Sequence, residues 1–498
     1  MSATRESARY RFGPANSLGV VGNARLSQCL TVLGGIAGTL ASMYALPVVL
    51  APAAFLPLAA ATIVAFLPLR GLVALDWVRL AVAHGAARIA GRTRWRIPRD
   101  GGPVADDEGP IPLPSAWGRL RIVASPHRGV PIGVLVDDQA GTATATVLVR
   151  VESFALLNEA DQERRVAAWG ATLGALARDS HPVRRIGWTE RTVPAEVDEI
   201  AAFFAGERRA GLDAPGVLSY VELIDSSSAA ALEHECFVSV QIDARARRRE
   251  VRQRAASIGS EDGALAAIVV DELRLVASAI EEAGIGVVGA LPPRLLAAAI
   301  RHAVDPATRP HLARLAAAGA QEGCAPGQAG PMAAEEHWDC VRMDAAWHAT
   351  FWISRWPLRD VGCLFLSPLI NRTEAIRSVG LAAEPIPPGR AHREAEHAVV
   401  REEGDQITRE RHGFLQTARQ RRRHEGVLDR EHELADGHAL VRFAGHVTVT
   451  APSRDELEAA CAEVVQAAQH SHLELRRLYG EQLDTLANTL PGLCRGLA

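Results

Sequence analysis

The stretch EEHWDC concentrates acidic, basic and aromatic side chains at Glu335, Glu336, His337, Trp338 and Asp339. A carboxylate beside an imidazole can act in general acid and base catalysis when both groups converge on one substrate. An aromatic segment, DAAWHATFWISRWP, begins three residues after this stretch, and this favours an interface or a corner of the core. We therefore predict an interface cluster with no catalytic residues, and an enzyme that uses this cluster is the alternative.

Two other motifs have the spacing of ligand sites but lack the required context. In GIGVVG, Gly284, Gly286 and Gly289 follow a long helical pattern, whereas a dinucleotide fingerprint follows a strand and opens a helix. In HELADGH, His432 and His438 are six positions apart, and a helical zinc motif needs histidines four apart. We expect no cofactor and no metal.

Residue composition excludes several classes of protein. All 54 basic residues are arginine, so the chain encodes neither the lysine of a Walker A loop nor that of a pyridoxal enzyme. The net charge of −4 disfavours direct binding of nucleic acid. The basic run RQRRRH is flanked by acidic residues and is typical of a solvated helix face.

The N-terminal region contains a long apolar segment. No charged residue occurs from Leu26 to Leu69, and about 20 residues are needed for each membrane crossing. The segment divides into Leu26–Leu46 and about Ala53–Leu69, separated by PVVLAP. This pattern predicts a transmembrane helical hairpin, because a signal peptide would account for only one apolar stretch.

Small residues recur at helical spacing within both apolar segments. Gly34, Gly38 and Ser42 lie on one side of the first segment, and Ala61 and Ala65 lie on one side of the second. Small residues at this spacing let two helices approach closely. We expect these residues to pack the hairpin together.

Arginines and tryptophans flank the apolar segments. Arg25, Arg70, Trp77, Arg79 and Trp95 are predicted to anchor the hairpin and a following interfacial helix at the membrane surface. The turn between the spans contains no arginine, so the positive-inside rule predicts that both termini lie in the cytoplasm.

The remaining sequence predicts an α+β fold with two mixed α/β cytoplasmic modules. Strand and helix patterns alternate, and Arg and Glu at helical spacing indicate long charged helices at about residues 388–434. Whether the two modules are a duplication stays open at this level. We predict a membrane hairpin and interfacial helix at 1–99, a linker at 100–118, a first module at 119–306, a flexible joint at 307–330 and a second module at 331–498.

Several segments resemble components of conjugation machines. The hairpin followed by FLPLRGLVALDWVRLAV and RTRWR resembles the PrgI family of small membrane subunits. The segments SFALLNEADQERRVAAWGATLGALA, HECFVSVQID and LRRLYGEQLDTLANTLPG resemble the amino-terminal domain of the type IV secretion motor ATPases of the CagE/TrbE/VirB family. RYRFGP, GPMAAEEHWD, AWHATFWISRWP and ELADGHALVRFAGHVTVTA resemble a family of membrane proteins of actinobacterial conjugative elements over nearly the full length.

These resemblances imply a non-catalytic scaffold. In the motor family the closing segment leads into an ATPase domain, so the resemblance implies that the motor ATPase is a separate polypeptide. Other expected partners are further membrane subunits of the channel, the lipid bilayer and copies of this chain, with nucleic acid contacted only indirectly. A scaffold of another secretion system without DNA cargo is a second alternative.

Overall fold

The computed structural model describes most of the chain. Described are Tyr10, Phe12, and residues 25–45, 48–69, 71–97, 107–127, 129–150, 154–178, 181–194, 203–204, 206–207, 209, 211, 213–228, 232–411 and 417–497.

Helices and strands alternate along these residues, which gives a mixed α/β structure. The described α-helices are α1 (Leu26–Ala45), α2 (Leu56–Phe66), α3 (Ala74–Ile89), α4 (Glu159–Leu176), α5 (Pro215–Ser228), α6 (Arg248–Ile258), α7 (Glu261–Glu282), α8 (Pro293–Val304), α9 (Thr308–Ala317), α10 (Pro326–Ala329), α11 (Ser367–Asn371), α12 (Pro388–Arg411), α13 (Ala418–Ala435), α14 (Arg454–His470) and α15 (Gln482–Leu486). The described strands are β1 (Pro68–Leu69), β2 (Leu72–Val73), β3 (Arg94–Arg96), β4 (Gly109–Pro110), β5 (Leu120–Ser125), β6 (Ile132–Asp137), β7 (Thr142–Arg150), β8 (Val183–Pro194), β9 (Leu232–Asp243), β10 (Gly286–Ala290), β11 (Ala333–Glu336), β12 (Val341–Met343), β13 (Ala346–Arg355), β14 (Ile376–Ile386), β15 (Leu440–Ala451) and β16 (Glu474–Arg477).

The apolar N-terminal segment folds as a helical pair. The helix α1 has 20 residues and is the one described helix that is long and apolar enough to cross a membrane. Where a second span was predicted, the chain forms a 3-10 helix at Val48–Phe55 and then the 11-residue α2. An α-helical second span is therefore not confirmed.

Close packing within this pair occurs at Gly35 and not at Gly34. A Cβ atom added at Gly35 would lie 2.6 Å from the Cβ of Ala61, whereas one at Gly34 would have no neighbour within 4 Å. Gly38 faces Pro57, and the side-chain amide of Gln28 donates to the carbonyl of Ala65 over 2.8 Å.

Ser42, the remaining predicted packing residue, donates its hydroxyl to Gly38 of its own helix. The seam, meaning the contact surface between α1 and α2, therefore contains the predicted Gly38, Ala61 and Ala65. It contains Gly35 in place of the predicted Gly34.

Fourteen strands form one sheet through most of the structure. Along the main path their order is β3-β11-β12-β13-β15-β14-β8-β9-β7-β6-β5-β4, with β10 beside β7 and β16 beside β13. Because β3 precedes residue 99 and β11 follows residue 331, the sheet connects the N-terminal segment with the second predicted module.

The two modules have the same strand connectivity. In the first, the order β10-β7-β9-β8 places the fourth, first, third and second strands side by side. In the second, β16-β13-β15-β14 repeats that order. Each is a split βαβ, or ferredoxin-like, arrangement in which α7 or α14 precedes the last strand. The second strands β8 and β14 pair with each other in antiparallel register, Gly380 opposite Thr189, and join the two modules.

One face of the sheet is apolar. Alternate residues of the strands, including Val240 of β9 and Val447 of β15, point into two hydrophobic clusters under α7 and α14. Because side chains alternate between the faces of a strand, the intervening residues point to the opposite face. Those residues are Thr144, Thr146, Ser239, Gln241, His348, Thr350, His446, Thr448 and Thr450, all of them buried.

A C-terminal strap, Gln482–Leu497, covers this polar face together with α8. The hydroxyls of Thr489 and Thr448 lie 2.7 Å apart in the second module. In the first, the amide of Gln241 donates to the carbonyl of Leu493 over 3.1 Å. A Cβ atom at Gly380 would lie 2.5 Å from the carbonyl oxygen of Asn488, so the strap requires a glycine there.

Long charged helices were predicted at 388–434, and α12 and α13 confirm them. The predicted flexible joint at 307–330 contains the helix α9 and the four-residue α10. The predicted linker at 100–118 includes β4 and Trp117, which is fully buried. Residues 98–106 lie outside the described part of the chain.

Candidate functional site

The cluster Glu335–Asp339 lies on β11 and in the turn that follows it. Glu335 pairs with Arg94 of β3 on one side and with Arg342 of β12 on the other. Strand pairing therefore brings residues that are 241 positions apart into contact. The cluster is the place where the N-terminal segment, the second module and the C-terminal region meet.

Trp338 fixes α3 to the body of the protein. Its ring centroid lies 6.2 Å from that of Trp77, 5.5 Å from that of His84 and 6.1 Å from that of Tyr479. The indole N–H of Trp77 donates to the carbonyl of Leu69 over 2.9 Å, just after α2. Trp77 was predicted to anchor the membrane surface, and here it packs against other aromatic residues of the protein.

Gly480 makes this packing possible. Its backbone N–H donates to the carbonyl of Trp338 over 2.7 Å, and its φ of +71° lies in the left-handed region. A Cβ atom at Gly480 would lie 2.8 Å from the indole ring of Trp338. Any other residue would be strained and would push the indole away.

Glu336 is the titratable group of the cluster that the fold perturbs most. Its carboxylate accepts the backbone N–H of Leu483 over 2.9 Å at the start of α15. Burial first, and then the nearby carboxylates of Asp484 and Glu481, raise the pKa of Glu336 to about 7 against the opposing backbone hydrogen bonds. Glu336 therefore exchanges a proton near neutral pH.

The other acidic residues of the cluster form ion pairs. Arg94 lies 2.7 Å from Glu335, and its hydrogen bond lowers the pKa of that exposed carboxylate. Burial acts to raise the pKa of Asp339, but Arg454 at 3.0 Å and the nearby Arg477 lower it overall. Such partly exposed pairs contribute little to stability individually.

His337 stacks on Trp347 with ring centroids 5.4 Å apart, and its backbone N–H donates to Cys340 over 2.8 Å. The imidazole is thus held against β13. The cluster therefore contacts three elements of the chain: α3 through Trp338, the start of α15 through Glu336, and β13 through His337.

A cavity of about 520 Å³ lies between α3, β3 and β11. Its principal lining residues are His84, Arg88, Thr93, Arg94, Glu336 and Trp338. Burial, then the positive charge of Arg88, lowers the pKa of His84. The cavity thus combines guanidinium groups with an acid of near-neutral pKa and an aromatic wall, so it can bind an anion or exchange a proton.

The sequence did not single out His84, Arg88, Tyr479 or Gly480 as site residues. The only signal was the aromatic and glycine pair in YGEQ, and nothing in the sequence placed it beside Trp338.

The predicted anchor residues have different surroundings. Arg25 forms an ion pair with Asp76 at 3.1 Å, which joins the start of α1 to α3. Arg79 is exposed, whereas Trp95 packs against a hydrophobic cluster of the body. Arg70 lies outside the described residues.

The two alternative ligand motifs form ordinary structure. Gly286 and Gly289 lie within β10, after α7, so no helix begins at them. The Nδ1–H of His432 donates to the carbonyl of Leu428 in its own helix, 2.9 Å away.

No family model and no curated protein matches the chain.

Proposed function

We propose that the protein is a non-catalytic inner-membrane scaffold of a conjugative or type IV secretion-like translocation machine, and that it holds a separately encoded motor ATPase at the cytoplasmic face. The observation that carries this proposal is the way in which the apolar helical pair is joined to the folded body. The apolar helical pair continues into α3 and β3, and both elements pack on the folded body. A force-transmitting scaffold needs such a connection, because a free linker would leave the docked motor unoriented.

Exposure of the helical pair supports insertion in a bilayer. Only 17% of the most apolar window of α1 is buried, whereas the core helix of a soluble protein is mostly buried. Outward-facing residues include Leu33, Leu40 and Tyr44, which is 96% exposed. At 1.5 Å per residue, α1 is about 30 Å long and matches the hydrocarbon core.

The segment that follows α1 also has the length of a crossing. Its 3-10 helix has 8 residues and α2 has 11. At about 2.0 and 1.5 Å per residue these add to roughly 32 Å. We therefore keep the two-span hairpin, with both termini cytoplasmic, as part of the proposal.

The absence of lysine supports the proposal that the scaffold and the motor ATPase are two separate polypeptides. A Walker A loop is excluded from this chain, so any nucleotide-driven work needs a partner. Anchoring raises the effective concentration of a docked motor at the membrane. The motor rings of the resembled family imply that the scaffold forms a matching homo-oligomer with other channel subunits.

Membrane anchoring is tested by fractionation in carbonate at high pH. The double variant Leu33→Arg/Leu40→Arg places charges on the exposed face of α1 and is expected to lose most of its membrane-bound fraction. The control is Val400→Arg/Ile407→Arg, which alters exposed residues of α12 and should remain bound. Equal behaviour of the two variants would contradict the anchor.

Motor docking is tested by a tagged pull-down from gently solubilised native membranes, followed by mass spectrometry. We expect a Walker A protein in near-stoichiometric amount. Recovery of the membrane-bound protein alone would refute the docking proposal. The presence of a relaxase and a coupling ATPase in neighbouring reading frames distinguishes conjugation from a secretion system without DNA cargo.

The cavity and the near-neutral pKa of Glu336 favour an enzyme as the second candidate. In that case Glu336→Ala or His337→Ala abolishes an activity and leaves membrane assembly intact. The scaffold proposal expects loss of assembly or no effect from the same substitutions.

A further inference from the structure

The helix α3 has an exposed apolar stripe beside the face that packs on the body. Val78, Val82 and Ile89 are 52%, 66% and 91% exposed. At 100° per residue, these side chains lie within about 40° of one another around the helix. A short two-strand turn, β1 and β2, separates α3 from α2, so the stripe continues the apolar surface of the helical pair.

The cavity described above lies next to this stripe. Arg88 lines the cavity and lies roughly a quarter of a turn from the stripe. It forms no ion pair with any residue in the described part of the chain. A headgroup in the cavity and hydrocarbon along the stripe could therefore belong to one molecule.

The charges around the cavity leave one guanidinium in excess while Glu336 is protonated. Arg94 is neutralised by Glu335, and Glu336, which accepts the backbone N–H of Leu483, has a pKa raised to about 7 by burial and is uncharged below that pH. His84 also lines the cavity, and its imidazole interacts with the backbone of Gly480. The unneutralised guanidinium of Arg88 thus lies beside an imidazole, the hydroxyl-bearing Thr93 and the indole of Trp338.

We propose that this cavity binds the phosphate-bearing headgroup of an anionic phospholipid, with Arg88 as its principal ligand and the acyl chains against Val78, Val82 and Ile89. Guanidinium groups bind phosphate oxygens through paired, charge-assisted hydrogen bonds. Basic pockets beside membrane segments are recurrent headgroup sites, and an indole suits the interface. The inference rests on the proposed membrane anchoring, and it specifies which lipid the junction recognises.

The test measures lipid retained by the full chain after purification in mild detergent and incubation with phosphatidylglycerol or phosphatidylcholine, read by native mass spectrometry. We expect phosphatidylglycerol to bind about tenfold more tightly than phosphatidylcholine. Arg88→Gln should reduce its affinity about tenfold, the usual loss for one charged hydrogen-bond partner. Arg92→Gln is the matched control, because Arg92 is exposed on the same segment and does not line the cavity. It should change affinity less than twofold.

Three results would overturn the proposal. Equal losses in Arg88→Gln and Arg92→Gln would indicate a diffuse basic surface. Equal binding of both lipids would exclude headgroup recognition. Displacement of bound phosphatidylglycerol by millimolar glycerol 3-phosphate alone would indicate a site for small soluble anions.

Failure of this inference is distinguishable from failure of the proposed function. Carbonate fractionation reports on the anchor, and the pull-down reports on the motor. A protein that passes both tests and binds both lipids equally would retain its proposed function and lack the lipid site.

Discussion

Glu336 couples proton binding to the packing of α15. Its folded-state pKa of about 7 exceeds the ordinary value of 4.5. Between these values the folded state binds more protons than the unfolded state, so stability falls as pH rises from 4.5 through 7. The carboxylate is then charged and buried.

Glu336→Gln is expected to remove this pH dependence. The amide oxygen can still accept the N–H of Leu483. At pH 8 the variant should be more stable than the wild type by about 1–3 kcal/mol, and at pH 5 the two should be similar. Thermal unfolding followed by circular dichroism between pH 5 and 8.5 measures the difference.

Glu335→Gln is the control for this prediction. Glu335 is exposed and its pKa is lowered by Arg94, so the stability difference between Glu335→Gln and wild type should stay constant over the same pH range. A stability difference between wild type and Glu336→Gln that is constant with pH would contradict the assignment of the pH dependence to Glu336.

At the scale of elements, the pairing of β8 with β14 contains a buried ion pair. Arg377 is fully buried and lies 2.5 Å from Glu190, which is 5% exposed. Its guanidinium also donates to Thr373 over 3.0 Å and to the carbonyl of Ile370. The two modules therefore meet around a charge that has no access to water.

Arg377→Met is expected to lower the free energy of unfolding by about 3–5 kcal/mol, because it removes the guanidinium from one oxygen of the buried Glu190 carboxylate and leaves His234, 2.7 Å from the other oxygen, as the remaining partner. Arg94→Met breaks an exposed pair and should cost less than about 1 kcal/mol. Denaturant titration of both variants provides the comparison. If Arg377→Met costs no more than Arg94→Met, the junction does not depend on this pair.

The helical pair offers a test with adjacent glycines. Gly35→Leu must collide with Ala61, whereas Gly34→Leu points into open space. We expect Gly35→Leu to separate α1 from α2 and lower the temperature at which the detergent-solubilised protein loses its monodisperse size-exclusion peak. Gly34→Leu should leave that temperature unchanged. If Gly34→Leu lowers the temperature more than Gly35→Leu does, the seam lies at Gly34.

Elements with strong local periodicity were predictable from sequence. In DQERRVAAWGATLGALARD, Trp169 and Leu173 have helical spacing, and the segment forms α4 with both residues against the core. The strand patterns IGVLVDD and TATATVLVRV flank the turn residues DDQAGT and form the hairpin of β6 and β7. The strand β3 was not predicted, because RWR has no apolar alternation and its partner lies far along the chain. The choice between Gly34 and Gly35 also depends on the rotation of α1, which helical spacing alone does not determine.

The composition of the site was equally hard to predict from sequence, because its residues come from distant parts of the chain. The composition of Glu335–Asp339 marked a junction, and the structure brings β3, α3 and Tyr479 to it. Trp77 and Trp95 have a type that suits a membrane surface, but aromatic side chains also pack in protein cores. Only the fold decides between these environments.

At the scale of the whole molecule, the C-terminal strap stabilises both modules together. It contacts Thr448 in one module, and in the other Arg495 lies 2.6 Å from Asp137. Deletion of Gln482–Leu497 would uncover a face of buried threonines, serine, glutamine and histidines. We expect both modules to lose protection from limited proteolysis in a single step.

Gly380→Ala tests the strap without deletion, because its added methyl group would collide with the backbone of Asn488. A loss of about 1–3 kcal/mol is expected from overpacking. Gly362→Ala, where the added methyl group would have open space, is the control. Equal free energies of unfolding of the two variants would show that the backbone of the strap shifts to accommodate the added methyl group at little cost.

The position of the strap in the chain also sets an order of events during synthesis. The apolar helices emerge first, and the strap emerges roughly 450 residues later, about 25–90 s at ordinary rates of translation. Through that interval the polar face of the sheet lacks the strap and has only α8 as cover from the elements already made, and the N-terminal helices have already left the ribosome. Under the proposed anchoring, the nascent protein inserts in the bilayer before its body can complete folding, and ribosome-stalled chains that lack the strap should be open to chaperone binding.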